Sequence, residues 1–237
     1  MSNEKYVLWA EGIGKSFGAV DVLKSASLWA EAGKVTTRMG RNGSEKSTLM
    51  KIAVGVLRSD YGVVSFLGDV RERHSLARMA RSGLMYVPQE GLVSPNYRVG
   101  DHFLALESVF GSAGFEVAIA DLRLVDLMEQ RAYSLSGGER TRVSMGLAFA
   151  REPAVLVVDE PLVGLTPIDQ EMIGQALRRL AARGTVVVTS GHDARALLSI
   201  SDVILWSVAG TTHHIGGPSE ALKHTQFRRE YLGPGFP

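Results

Sequence analysis

Cysteine is absent from the 237-residue chain, which removes disulfides and thiolate metal sites and fits a reducing compartment. No apolar run approaches the roughly 20 residues that a membrane-spanning helix requires. The first residues, MSNEKYVLWAEG, place charges ahead of any apolar stretch, unlike a secretory signal. A soluble protein is therefore expected, with any membrane association made through a partner. An excess of charge is missing too. Lys and Arg number 26 against 25 Asp and Glu, a net charge of +1, which argues against a nucleic-acid binder relying on bulk charge. His213-His214 has no further donor at metal-ligand spacing and reads as a turn between two late strands. The remainder, 45% hydrophobic and 22% charged, is an ordinary globular composition, long enough for a continuous core.

The chain is organised around Gly40-Arg41-Asn42-Gly43-Ser44-Glu45-Lys46-Ser47-Thr48. Its spacing is almost that of a phosphate-binding loop, G-x-x-x-x-G-K-[ST]. In such a loop, backbone N–H groups face a polyphosphate, a lysine neutralises the outer phosphates and a hydroxyl binds magnesium. The flanks agree: 34–39 reads as a strand and 47–56 as an amphipathic helix, whose N-terminal partial charge adds to the site. One residue breaks the pattern. Glu45 stands where the last glycine belongs; its side chain would crowd the phosphates and bring a like charge to them. If the position needs φ > 0, the strain costs roughly 1–3 kcal/mol.

Residues 7–13, 22–29 and 63–67 read as strands, with Gly14-Lys15-Ser16-Phe17-Gly18 between the first two. Phe17 is either an aromatic of a half-buried hairpin or a face for a purine to stack on. Arg38 lies inside the strand leading to the loop, where a sheet covered on both faces reads as an apolar run. It either has a partner, Glu45 being one choice, or weakens the fold locally, because an unpaired buried charge costs several kcal/mol.

Residues 76–81 read as a helix and 83–87 as a strand, followed at once by Pro88-Gln89-Glu90. Gln89 can reach a metal or a water there. From 99 to 128 the period turns helical, with Phe103, Leu104, Leu106, Val109 and Phe110 on one side and a break at 111–114. Ser136-Gly137-Gly138 then opens a helix over 141–150, as a plain cap or as a second anion-binding terminus. The buried-strand run 154–158 ends in Asp159-Glu160. Adjacent carboxylates on a strand point to opposite faces, so one can hold hydrated magnesium while the other deprotonates a water. A helix over 172–182 and a strand over 184–189 follow, and Ser190-Gly191-His192-Asp193 falls at that strand's C-terminal end, where ligands of open α/β sheets collect. His192 is a candidate γ-phosphate sensor.

Phe17, the loop from Gly40 to Thr48, Gln89, the LSGGE run, Asp159-Glu160 and His192 together resemble the nucleotide-binding subunit of an ATP-binding cassette (ABC) transporter, over essentially the whole chain. The residue order and the tail from Arg228 to Gly233 are similar to the branch serving branched-chain amino acid import and lipopolysaccharide export. The resemblance implies an α/β fold: a P-loop NTPase core with a mainly parallel sheet, an N-terminal antiparallel β subdomain and a helical insertion. It implies one domain over 1–237, the nucleotide-binding core being 1–90 and 151–237 and the helical subdomain 91–150. It further implies ATP and Mg2+ as ligands. A second copy or a related ATPase would pair head to tail, each ATP lying between the phosphate loop of one subunit and Ser136-Gly137-Gly138 of the other. Phe17 would stack on adenine, and Gly40, Asn42, Gly43, Ser44, Lys46 and Thr48 would line the phosphates. Lys46 would bind the β- and γ-phosphates, Ser47 with Gln89 would hold magnesium, and Asp159 would bind it through water. Glu160 would be the general base and His192 would contact the γ-phosphate. The implied partners are transmembrane permease subunits, contacted through the surface around Gln89 and the helical insertion. The implied location is cytoplasmic, peripheral on the inner face of the cell membrane.

Two residues depart from the family pattern: Glu45, and Thr166 where an aspartate usually stands at the dimer seam. Two functions follow as expectations. One is an energy-coupling ATPase whose nucleotide binding Glu45 impairs; the other is a catalytically silent assembly or regulatory subunit. A third, an ABC protein acting on DNA or ribosomes, would need a long coiled insertion or tandem cassettes, which this chain lacks.

Overall fold

Two twelve-residue strands, β1 (Tyr6–Phe17) and β2 (Val20–Glu31), form an antiparallel hairpin turned at Gly18, whose φ of 60° suits glycine. The computed structural model describes residues 5–41, 46–233, 235 and 236. After the hairpin come β3 (Val35–Met39), α1 (Lys46–Ala53), β4 (Tyr61–Phe66), β5 (Asp69–Arg71), α2 (Leu76–Arg81) and β6 (Leu84–Val87). A helical stretch follows, with α3 (Val99–Phe110), α4 (Phe115–Asp121) and α5 (Gly137–Ala150). The chain then returns through β7 (Val155–Val158), α6 (Pro167–Ala182), β8 (Val186–Gly191), α7 (Ala194–Ile200), β9 (Val203–Val208), β10 (Thr211–Gly216) and α8 (Pro218–Lys223).

The strands lie in the order β5-β4-β1-β2-β10-β9-β3-β8-β7-β6. The five from β9 to β6 are mutually parallel. Short β-branched runs such as Val155–Val158 suit a sheet covered on both faces. Alternate residues divide between two cores. Leu156, Val158, Val187 and Trp206 pack toward α5 and α6, while Val155, Val157, Val188 and Leu205 pack toward α1 and the hairpin. Register then positions the site, because Met39 pairs with Gly191, Thr189 with Val158, and Val158 with Val87. Four neighbouring strands therefore end along one line, and each passes directly into a stretch singled out in the sequence.

The helical stretch is held by side chains converging on α5. Phe103 and Phe115 meet edge to face at 5.5 Å. Gly146 lets Leu124 pack close against α5, since a Cβ there would stand 2.4 Å from Leu124 Cδ1 and push that side chain aside. The gap expected at 111–114 is present, with Gly111 closing α3 at φ 83°. Leu104, Val109 and Phe110, grouped with Phe103 by the sequence pattern, are instead exposed. A step of one residue rotates about 100° around a helix, so Leu104 cannot share the inward face of Phe103.

Two further expectations are corrected. His213 and His214 lie inside β10, opposite Trp206 and Leu205, and the turn is Ala209-Gly210, both with positive φ. Their rings lie 5.4 Å from Trp206 and 6.3 Å from Trp29 respectively, so aromatic contacts hold them on the strand. The helix expected from residue 172 begins at Pro167, because Thr166 caps it: its Oγ1 accepts from the Asp169 N–H at 3.3 Å. The departure from the family pattern at Thr166 thus has a local role as a helix cap.

Candidate functional site

Strand β3 ends at Met39, and the next residue, Gly40, turns its carbonyl to the Nζ of Lys46 at 2.9 Å. Lys46 also donates to the Arg41 carbonyl at 3.3 Å. These bonds fold the side chain of the first residue of α1 back over the end of β3. The intervening residues Asn42, Gly43, Ser44 and Glu45 lie outside the described residues, and so do the expectations placed on them. Ser47 and Thr48 occupy the first turn of α1, half-buried. Arg38 is fully buried in β3, and its Nη1 donates 2.7 Å to the Lys46 carbonyl, tying strand to helix across the base of the loop. The partner weighed for it in the sequence, Glu45, is among the residues not described.

The acids follow β7. Asp159 is buried, and Ser190 Oγ donates to its Oδ1 at 2.6 Å. Glu160 takes a left-handed backbone with φ 50°, a conformation that costs a non-glycine residue of order 1–3 kcal/mol and concentrates at functional sites. Its N–H donates to the same Ser190 Oγ at 3.0 Å. Both acids lie beyond the last residue of β7, so strand alternation, which the sequence reading invoked, does not govern their directions, and both line one cavity.

Glu160 Oε1 lies 3.4 Å from Lys46 Nζ, and Glu160 Oε2 lies 3.7 Å from His192 Nδ1. Lys46 and Glu160 side chains are 4% and 11% exposed, whereas His192 is 42% exposed, so the pair is shielded while the imidazole faces outward. Gln89 sits in the exposed turn after β6 and lines a cavity of ≈ 310 Å³ together with Asp159, Glu160, Gly137, Arg140 and Ser144. Ser144, on α5, accepts from the Leu92 N–H at 3.0 Å, which ties the segment after Gln89 to the helix that Ser136 opens. Burial raises the pKa of the Tyr86 hydroxyl on β6, and the charges of Asp159 and Glu90 add to the rise, keeping it protonated.

Ser136 is a full capping box: its Oγ accepts from Glu139 N–H at 3.3 Å while Glu139 Oε2 accepts from Ser136 N–H at 2.8 Å. Gly137 and Gly138 follow, and space is open where a Gly137 side chain would be. The terminus is capped within its own chain and still presents Gly137 outward, while Gly138 is half-buried beside Leu165 and Asp169. Phe17 lies at the end of β1, half-exposed, with Lys15 Nζ 5.4 Å from its ring centre. Among the described residues no hydrogen bond, ion pair or ring contact joins it to the Lys46, Glu160 and His192 cluster.

The site can take a polyphosphate ester with a cation. Its candidate metal ligands, Ser47, Gln89 and Asp159, are all oxygen donors, which suits magnesium. Among the described residues no group of three or more His, Cys, Asp or Glu is arranged for a metal ion. A cation here would therefore share its shell with ligand phosphates and water.

Ser190 is named in the sequence only as the start of the stretch leading to His192 and has no role there, because its bond to Asp159 crosses between strands. Ser190→Ala removes a donor from a buried carboxylate and strands the Glu160 N–H. Such a loss costs roughly 1–3 kcal/mol, and Ser190→Thr, which keeps the hydroxyl, should recover much of it. Urea unfolding checks this; an unchanged midpoint for Ser190→Ala would show that the bridge contributes nothing.

The model of the ABC transporter family matches residues 23–163. The lipopolysaccharide export system ATP-binding protein LptB of Acidithiobacillus ferridurans is 31% identical over 236 residues, covering 97% of this chain and 98% of that one. The zinc import ATP-binding protein ZnuC of Halorhodospira halophila is 29% identical over 227 residues, covering 94% and 83%. Among solved structures, the ADP conformation of an ATP-binding cassette of an ABC transporter superposes with a TM-score of 0.83 at 24% identity, over 96% of this chain and 99% of that chain. The ATP-bound structure of a bacterial Atm1-family ABC exporter gives 0.82 at 19% identity, over 95% of this chain and 41% of that one. Both likenesses concern the fold.

Proposed function

This chain belongs to the ABC transporter family as an ATP-binding subunit of the ATPase class, and on that premise we propose that it powers transport through partner transmembrane subunits, with nucleotide binding impaired by Glu45. The observation that carries the reading is the meeting of Lys46, Glu160 and His192 at the ends of the adjacent strands β3, β7 and β8. In this reading Lys46 leaves the Gly40 carbonyl and Glu160 for the β- and γ-phosphates. Glu160, freed of the lysine, accepts a proton from the water that attacks the γ-phosphorus, and the bond to the β-phosphate oxygen breaks. His192 contacts the γ-phosphate from the exposed side. Magnesium, if bound with the nucleotide, would supply charge neutralisation at the phosphates, held by Ser47 and Gln89 and, through water, by Asp159. Phosphoryl transfer of this kind is mainly positioning and charge stabilisation.

A second copy, or a related ATPase, would face the site with its own Ser136-Gly137-Gly138, and Phe17 would cover the adenine. Leu104 and Val109, exposed on α3 of the helical stretch, support a permease-facing surface there. No described helix is long and apolar enough to cross a membrane, so membrane attachment would come from such partners. The division into a core of 1–90 and 151–237 and a helical subdomain of 91–150 belongs to the same reading. Relatives named for lipopolysaccharide export and zinc import match at nearly equal identity, so the likeness assigns this cassette no one cargo.

The alternative is a catalytically silent assembly or regulatory subunit, favoured by Glu45. Calorimetric titration of MgATP into the chain and into Glu45→Gly separates the two. If position 45 needs φ > 0, relief of roughly 1–3 kcal/mol of strain should tighten binding by about 5- to 150-fold in Glu45→Gly. Equal affinities would remove the impairment, and binding by neither would favour the silent subunit.

A further inference from the structure

The tail after α8 meets the candidate site at two points that the reading above does not use. The Tyr231 hydroxyl donates to the His192 carbonyl at 3.0 Å. Arg41, the second residue of the phosphate loop, donates through Nη2 to the Glu230 carbonyl at 2.7 Å. Adjacent residues of the tail thus hold the beginning of the loop after β3 and the segment after β8. The tail is itself anchored: the Tyr231 ring stacks on Phe227 at 5.1 Å and 28°, and Phe227, fully buried, meets Trp206 edge to face at 5.6 Å. Trp206 belongs to β9, whose partner is β3, so the anchor reaches the sheet directly beside the loop.

We propose that Tyr231 is a positioning residue of the nucleotide site, its hydroxyl fixing the His192 main chain while the adjoining Glu230 carbonyl holds Arg41 at the start of the phosphate loop. The chemistry favours this over mere packing. Burial raises the pKa of the hydroxyl, a backbone hydrogen bond from Gly40 opposes the rise, and the charges of Asp193 and Glu160 add to it. The group therefore stays a donor to the His192 carbonyl, while the neighbouring Glu230 carbonyl addresses the phosphate loop. Held in this way, His192 keeps its ring beside Glu160, and a shift of the loop is transmitted to the histidine. The proposal rests on the nucleotide reading for its consequence and on the tether alone for its mechanism.

Tyr231→Phe keeps the stacked ring and deletes only the hydroxyl, so two readouts in the full chain decide the matter. In the absence of nucleotide, amide hydrogen exchange over 190–196 should rise about tenfold, with β6 and α6 unchanged; unchanged exchange over 190–196 overturns the proposal. In the Glu45→Gly background, kcat for ATP should fall about fivefold with KM within twofold. A uniform fall in thermal stability with kcat and KM following it would mark a structural role and also overturn the proposal. If Glu45→Gly binds no MgATP, the nucleotide reading fails separately, and the exchange measurement still decides the tether.

Discussion

Glu160→Gln, made in the Glu45→Gly background, is expected to lower ATP turnover by roughly 10²–10⁴-fold, the range a positioned general base supplies. Glutamine is nearly isosteric and keeps an oxygen beside Lys46, so the left-handed turn held by Ser190 should persist. MgATP affinity should not fall, because the substitution removes the carboxylate 3.4 Å from the Lys46 ammonium. A lysine without that ionic partner is more available to phosphate. Turnover and calorimetric affinity must therefore separate: slow hydrolysis with binding equal to or tighter than in the parent. Turnover within a few-fold of the parent would place the base elsewhere and leave Glu160 as the lysine's resting partner.

The second large effect is expected from Lys46→Met. Its ammonium is almost wholly buried and holds the Gly40 and Arg41 carbonyls as well as Glu160. Truncating one member of a buried ion pair strands the other, at a cost of about 3–5 kcal/mol. Chemical denaturation should show that loss. MgATP affinity in the Glu45→Gly background should fall by roughly 10- to 150-fold, the value of a charged hydrogen bond of about 1.5–3 kcal/mol. Combining Lys46→Met with Glu160→Gln removes the stranded charge, so the double variant should be more stable than Lys46→Met alone. Simple additivity of the two losses would show that the pair is not coupled.

The parallel strands were legible because a strand covered on both faces must be apolar throughout, and runs such as Val155–Val158 say so locally. The helix over Leu76–Arg81 and the break before Phe115 were equally legible, one from period and one from glycine. Where the reading failed, the deciding contact came from elsewhere in the chain. His213 and His214 look like a polar turn until Trp206 and Trp29 are brought against them. Leu104 looks like core until α3 is docked and its rotation set by Phe103. Asp159 and Glu160 were read as the end of a strand, yet β7 stops at Val158 and Glu160 has a positive φ, its N–H bonded to Ser190 of the neighbouring strand.

The chemistry of the site belongs to the sequence alone: a lysine and a serine–threonine pair behind a glycine loop, two acids after a buried run, a histidine after another, and the serine–diglycine opening of a helix. Residue type and spacing are covalent facts, and local periodicity reports which stretches pair or coil. Only the tertiary structure decided which of these groups meet. The order β3-β8-β7-β6 and its register bring Lys46, Glu160 and His192 together, and packing of Phe227 under Trp206 delivers Tyr231 to the His192 carbonyl. Strand order and tail docking are set by burial of apolar surface between distant segments, a property of the whole chain that no local window of residues carries.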